Sequence, residues 1–224
     1  MVYWALKIVK MFRIVFLLLS SVLFFSCQEK KSDDIVMPYY NEPDFNPLFI
    51  TSKDQITQKI THTIDSFSFL NQDSSVITQA VVENKIHVAN FIFTTCGSIC
   101  PIITSNFKMV GDAFQNDTNL VMLSYSVTPW IDKPYVLKKY KQKNGIQKSN
   151  WHFLTGDRSQ IYQLARKSYF AEEDIGFSKD SSQFLHTEHI LLVDKSKRIR
   201  GVYNGTLALE MQHLIEDIRK LKAE

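Results

Sequence analysis

The chain has 224 residues, of which 45% are hydrophobic and 22% are charged. This composition is typical of one soluble globular domain of ordinary size, and it excludes disordered and collagen-like classes. The formal net charge is +3, but Lys7, Lys10 and Arg13 lie in a leader without acidic residues, and the rest of the chain has as many basic as acidic residues. A neutral body gives no electrostatic reason to expect nucleic acid as a partner.

The first 26 residues have the pattern of a signal peptide. A basic stretch precedes an apolar run of about a dozen residues at 14–25, too short to cross a bilayer of roughly 30 Å as a helix. Met11 is an alternative initiator, because residues 11–13 alone supply a basic segment. Ser26 and Cys27 then resemble a bacterial lipobox, in which the cysteine is acylated. We expect an extracytoplasmic protein anchored to the cell membrane through Cys27; the alternative is an ordinary signal peptide with an incidental cysteine.

The segment that follows has the composition of a tether. Residues 27–34 are polar, and residues 34–46 contain prolines and little periodicity. We therefore expect a lipidated tether and linker over residues 27–46 and one domain over residues 47–224. Tyr39 and Tyr40 are expected to pack where the linker meets that domain.

The patterns after the linker predict an α/β domain. A hairpin is expected within residues 67–77, and the apolar strand 85–93 is expected to be central. The later predictions are helix 101–114, strand 120–127, helix 133–143, strand 151–154, helix 159–169, a hairpin of strands 189–194 and 198–203, and helix 207–221, which has the apolar face Leu207, Met211, Leu214, Ile215 and Ile218. This order predicts a thioredoxin-like three-layer sandwich with an N-terminal hairpin addition.

Two thiols lie where the central strand leads into a helix, in the motif Cys96-Gly-Ser-Ile-Cys100-Pro101. If Cys27 carries lipid, they are the only thiols of an exported domain, which favours a working pair over a disulfide scaffold. The N–H groups at a helix N-terminus favour thiolates, the form needed for redox attack and for metal binding. Four residues of helix span about 6 Å, so the pair can form a disulfide or hold a metal ion. Soft thiolates select Cu(I), and a third, histidine ligand would also allow Cu(II).

The chain is similar to the SCO/SenC family of thioredoxin-fold copper-binding proteins, which assist assembly of cytochrome c oxidase. The resemblance covers roughly residues 37–222. It rests on the C-x-x-x-C-P motif after a strand, on the segment 186–194 that runs from a histidine to the aspartate of a strand-turn hairpin, on the following strand 198–203, and on a D-x-P step within residues 126–134.

This resemblance implies that Cys96, Cys100 and His186 bind copper, with the copper-site subunit of the oxidase as the partner. Gly97 stands where the family often has proline. His189 is the alternative third ligand, but strand alternation places it on a face with Leu191 and Val193, whereas His186 precedes the strand.

Other candidates have simpler interpretations. Asp132 either caps the helix that begins at Lys133-Pro134 or supports the metal site or a docked partner. The remaining histidines have no partners at ligand spacing and are expected on the surface or in the core; they are His62, His87, His152 and His213.

Four functions are compatible with this chain to different degrees. The first is a metallochaperone that delivers copper to the dinuclear copper site of the oxidase, or keeps the cysteines of that site reduced. The second is a thioredoxin-like thiol-disulfide oxidoreductase without a copper-carrying role, which predicts C-x-x-C spacing and leaves His186 unexplained. A thiol peroxidase wants threonine three residues before its cysteine, where Phe93 and Gly97 stand. A non-catalytic binding lipoprotein leaves both motifs unexplained.

Overall fold

A computed structural model of the chain describes residues 36–171 and 187–224. Residues Val36–Glu224 form one compact unit. The predicted signal peptide, Cys27 and His186 lie outside the described residues.

The described elements alternate between strands and helices. In chain order they are α1 (Lys53–Lys59), β1 (Ser68–Asn71), β2 (Val76–Thr78), β3 (Ile86–Ile92), α2 (Ile99–Ala113), β4 (Leu120–Ser126), α3 (Pro134–Lys143), β5 (Trp151–Thr155), α4 (Arg158–Gln163), β6 (His189–Val193), β7 (Ile199–Asn204) and α5 (Ala208–Ala223). A short 3₁₀ turn, Gln79–Val82, follows β2, and a π-helical turn, Leu164–Ser168, continues α4.

The strands form one seven-stranded sheet in the order β2-β1-β5-β4-β3-β6-β7. The central strands β3, β4 and β5 run parallel, and the terminal hairpins β1–β2 and β6–β7 are antiparallel. Every residue of β3 and β4 is buried, as expected for strands covered on both faces.

Both faces of the sheet carry an apolar layer. On one face α2 and α5 pack over alternate residues of β3 and β4, through side chains such as Phe107 and Leu214. On the other face α4 and its π-helical turn pack over the intervening residues, through Ile161 and Tyr169. The prediction of a thioredoxin-like three-layer sandwich with an N-terminal hairpin is therefore confirmed.

Three details differ from the sequence expectations. Helix α1 was not expected, since its seven residues are mostly polar and exposed. The expected helix 159–169 changes into the π-helical turn after Gln163. Leu207 was expected on the buried face of the last helix, but it precedes α5 and is 52% exposed, whereas Leu221 completes that face.

The segment before α1 is held against β7, as expected for Tyr39 and Tyr40. Tyr39 is buried, and the N–H of Tyr40 donates to the carbonyl of Ile199 at 3.0 Å. The buried guanidinium of Arg200 donates to the carbonyl of Pro38 at 3.0 Å and to both carboxylate oxygens of Glu224. This contact joins the start of the described domain to its last residue. Within the described ranges, each helix is too short or too polar to span a membrane.

Candidate metal centre

The thiol pair lies at the carboxyl end of the central strand. β3 ends at Ile92, and α2 begins at Ile99, so Cys96 lies in the connecting loop and Cys100 in the first turn of the helix. Ser98 precedes α2 without a side-chain cap. The N–H groups of the first turn are therefore available to the Cys96 sulfur, and the N–H of Cys100 donates to Sγ of Cys96 at 3.4 Å.

The two thiols differ in acidity. Burial opposes ionisation of Cys96, but hydrogen bonds from the Cys100 thiol and from the N–H groups of Cys100, Ser98 and Ile99 outweigh it. The pKa of Cys96 therefore lies below its ordinary value. Cys100 is only 4% exposed, and burial together with the neighbouring Cys96 sulfur raises its pKa to about 12. Cys96 is thus the more accessible and more acidic thiol, and Cys100 is its buried, less acidic partner.

This difference predicts the order and pH dependence of alkylation. In the reduced protein we expect iodoacetamide to modify Cys96 first. Because the pKa of Cys96 is lowered, its alkylation rate should stay high at a pH below that at which an ordinary thiol ionises. Cys100 should react far more slowly at neutral pH, because its pKa is about 12. Peptide mapping by mass spectrometry at a series of pH values measures both rates. Equal rates for the two thiols would contradict the assignment.

A buried carboxylate holds the beginning of this loop. Asp132 is fully buried, and its two oxygens accept from the N–H of Thr94 at 3.2 Å and from the Thr94 hydroxyl at 2.5 Å. The hydroxyls of Ser126 and Thr128 donate to the same carboxylate at 2.6 and 2.9 Å. Asp132 therefore joins the residue two positions before Cys96 to the end of β4.

The capping role considered for Asp132 is wrong. The residue before the first turn of α3 is Lys133, which makes no side-chain cap, and Pro134 takes the first helical position, where no N–H is needed. The carboxylate instead turns inward to three donor residues. Thr94 was missed by sequence reasoning, because a threonine after a strand is a common residue and only the fold brings it to Asp132.

A second polar contact lies one turn below Cys100. The hydroxyl of Thr104, four residues further along α2, is 2.8 Å from the hydroxyl of Tyr140 on α3. Burial raises the pKa of Tyr140, and the neighbouring Cys100 contributes to the rise. This hydrogen bond joins α3 to α2 one helical turn after Cys100.

The structure describes one of the two candidate histidine ligands, His189. The ring of His189 packs edge-on against Phe45 with 5.7 Å between centroids, on the face of the sheet that α4 covers. Its strand position beside Leu191 and Val193 is as expected from alternation. Among the described residues, His189 does not join the two thiols in a group able to hold a metal ion. His186 lies outside the described residues.

The described chain resumes at the end of the sheet where β3 leads into the loop that carries Cys96. β6 is antiparallel to β3, with Ile190 opposite Asn90, so β6 begins where β3 ends. The carbonyl of Glu188 accepts from the N–H of Gly205 at 2.8 Å. A side chain at Gly205 would lie 2.9 Å from Ile103 of α2. Residues 187–188 are therefore close to the first turns of the helix that carries Cys100.

The other histidines lie in the core or on the surface, as expected. His87 is fully buried on β3, where burial lowers its pKa to about 3 and Nε2 lies 3.0 Å from the hydroxyl of Tyr169. His62 and His152 are half-buried, and His213 is exposed on α5.

Comparison with known proteins identifies the class. The family model for SCO1/SenC matches residues 55–223, so the chain belongs to the SCO1/SenC family. A relative described as SCO1 protein homolog, from Bacillus subtilis strain 168, is 29% identical over 167 residues, which cover 74% of this chain and 86% of the relative.

Solved structures agree with this assignment. A SCO1/SenC family lipoprotein from Bacillus anthracis is 28% identical, with a TM-score of 0.64 over 74% of this chain and 97% of that one. BsSco is described as a member of the Sco family of cytochrome c oxidase assembly proteins with a disulfide switch. It is also 28% identical, with a TM-score of 0.61 over 71% of this chain and 93% of that one.

A more distant structure, ScoI of Bradyrhizobium japonicum, was solved with copper bound. It is 22% identical, with a TM-score of 0.57 over 71% of this chain and 99% of that one, and the likeness shows the shared fold.

Proposed function

We propose that this chain is an extracytoplasmic copper metallochaperone, which delivers copper to the dinuclear copper site of cytochrome c oxidase or keeps the cysteines of that site reduced. The observation that carries the proposal is the thiol pair at the start of α2, where the N–H of Cys100 lies 3.4 Å from Sγ of Cys96. Membership of the SCO1/SenC family and the disulfide switch described for BsSco support it.

The proposed copper ligands are Cys96, Cys100 and His186. Two thiolates and one imidazole form a donor set that suits copper in both oxidation states. His186 is three residues before His189, which corresponds to at most about 10 Å of chain. β6 begins next to the end of β3 that leads to Cys96, which supports a ligand in the segment just before β6. The second candidate, His189, contacts Phe45 instead.

The same pair supports the alternative role as a reductant without copper. In that reaction the thiolate of Cys96 attacks a disulfide of the recipient, and the Cys100 thiol then displaces the recipient's second sulfur. Two electrons and the proton of Cys100 pass to the recipient, which gains one thiol and one thiolate that takes its proton from water, while Cys96 and Cys100 become a disulfide. The difference in acidity between the two thiols favours this sequence of attack.

Replacement of each histidine distinguishes these roles. We expect His186→Ala to retain Cu(I) on the two sulfurs but to lose the stable Cu(II) form, because imidazole is the harder ligand. The matched control His189→Ala should bind both oxidation states normally. Copper titrations followed by absorption and electron paramagnetic resonance measure binding, and oxidase assembly is scored in cells with each variant.

One result would contradict the ligand assignment and another the copper-carrying role. If His189→Ala loses Cu(II) and His186→Ala does not, the ligand assignment is three residues out of register. If His186→Ala supports normal oxidase assembly and the double cysteine variant does not, the main task is thiol reduction.

We also propose that residues 1–26 are a signal peptide, that residues 27–46 form a lipidated tether and linker, and that residues 47–224 are the copper-binding domain. The lipobox-like step at Cys27 supports the anchor, as does the description of the Bacillus anthracis relative as a lipoprotein. Metabolic labelling with a fatty acid, lost in Cys27→Ser, tests it; an unlabelled wild-type protein would refute it.

A further inference from the structure

The stretch between Asp132 and Asp157 is strongly basic, although residues 27–224 as a whole have as many basic as acidic residues. It contains six lysines and no acidic residue: Lys133, Lys138, Lys139, Lys141, Lys143 and Lys148. Three of the six have partners in the fold. Lys138 pairs with Asp73 at 3.0 Å, Lys148 pairs with Asp112 at 3.1 Å, and Lys141 donates to the carbonyls of Lys148 and Trp151.

The other three lysines contribute uncompensated charge. Lys133, Lys139 and Lys143 are exposed and make no ion pair within the described part of the chain. Nζ of Lys133 donates to the carbonyl of Pro129 at 3.1 Å, and Nζ of Lys139 lies 5.9 Å from the centroid of the Tyr135 ring. Both charges are thus held at the beginning of α3 by neutral groups, which leaves a local positive potential.

Large apolar side chains are exposed beside these charges. Trp130 is 49% exposed, Ile131 is 42% exposed and Tyr135 is 64% exposed. Isolated exposed apolar residues are ordinary, but three within six positions, two of them aromatic, have the enrichment found at protein interfaces.

The patch adjoins the thiol loop. Asp132 lies between Ile131 and Lys133 in the chain, and its carboxylate binds the N–H and hydroxyl of Thr94, two residues before Cys96. On the helix side, Ile102, two residues after Cys100, is 49% exposed. These hydrogen bonds place the patch next to the strand end from which the Cys96 loop begins.

We propose that Trp130, Ile131, Lys133, Tyr135 and Lys139 form a docking patch for a protein whose own metal-binding thiols are surrounded by acidic residues. This inference rests on the proposed function, since it describes the surface of the protein that receives copper or electrons. The lysines would attract an acidic surface, and the apolar side chains would be buried on contact. A partner with thiols is favoured over an anionic membrane because the patch borders a thiol pair, and lipid headgroups carry no group that could exchange with it.

Charge reversal tests the docking patch. The probe is the purified soluble copper-site domain of the oxidase from the same organism, reduced and without metal. Its association with the full-length chain is followed at several salt concentrations. We expect Lys133→Glu/Lys139→Glu to associate at least about tenfold more slowly at low salt and to lose most of the salt dependence. The matched control is Lys53→Glu/Lys59→Glu, an equal change of charge at exposed positions of α1, and it should stay within about twofold of wild type.

A second variant tests the apolar part of the patch. Trp130→Ala should speed dissociation and leave the association rate nearly unchanged, because buried contacts determine how long a complex lasts. Copper stoichiometry and circular dichroism of every variant show that the fold and the metal site are intact. If the Lys133→Glu/Lys139→Glu variant does not fold, the neutral double variant Lys133→Gln/Lys139→Gln is used in its place.

The outcomes separate this inference from the proposed function. If the patch variants associate like the control, the docking patch is refuted and the proposed function stands. If the wild type transfers no copper or electrons but binds through the patch, the proposed function fails and the docking patch stands. If the wild type neither binds nor transfers, both fail. If the patch lysines affect binding only to phosphatidylglycerol vesicles, measured against phosphatidylcholine vesicles, the surface is a membrane contact and the inference is refuted.

Discussion

Replacing either Cys96 or Cys100 by alanine is expected to lower Cu(I) affinity by more than about a hundredfold, because a change beside a metal ligand already costs about 10–100-fold and a lost ligand costs more. The two thiolates are the soft donors of the proposed site, so the remaining thiolate cannot compensate for the one that is lost. The fold should persist, since Cys96 is partly exposed and Cys100→Ala removes only one small buried group, at a cost of about 1 kcal/mol.

Titration of the reduced protein with Cu(I) against a competing chelator measures this loss. Ser98→Ala is the matched control, because it changes the same loop without removing a thiol, and it should bind copper normally. Circular dichroism shows that each variant is folded. One copper bound at wild-type affinity by both single cysteine variants would refute the site.

Asp132→Ala is expected to weaken both the fold and the site, although the residue is not one of the proposed ligands. Its carboxylate accepts from one N–H and three hydroxyls in a fully buried position. Each donor left without an acceptor costs about 1–3 kcal/mol, so the free energy of unfolding should fall by several kcal/mol. Release of Thr94 also frees the loop before Cys96, and we expect copper affinity to fall by about 10–100-fold.

Urea denaturation and copper titration of the same preparations separate the two effects. Asp132→Asn retains one acceptor oxygen, so it should lose less stability than the alanine variant. Asp157→Ala removes an exposed carboxylate that caps α4 and lies outside the loop, and it should leave copper affinity unchanged. If Asp132→Ala bound copper like Asp157→Ala, the carboxylate would have no role in positioning the loop.

The sequence was sufficient for most of the fold, because the signals were local. Strand β3 was visible as a continuous apolar run, and α2 as a helix after a strand, beginning near Pro101. Helix α1 escaped because a seven-residue polar segment has no apolar period, and the exposed position of Leu207 escaped because the helix begins one residue later than its pattern suggests.

By itself the sequence determined the thiol pair, since the spacing of Cys96 and Cys100 after a strand is a property of the chain. Tertiary structure alone decided the acidity of each thiol, because burial of Cys100 and the N–H groups aimed at Cys96 depend on how α2 meets the sheet. It also decided the role of Asp132: a sequence shows that an aspartate precedes a helix, but not that Thr94, 38 residues away, will be its donor. Hydrogen bonds between distant residues and loss of solvent arise only when strands and helices pack, and no local pattern encodes them.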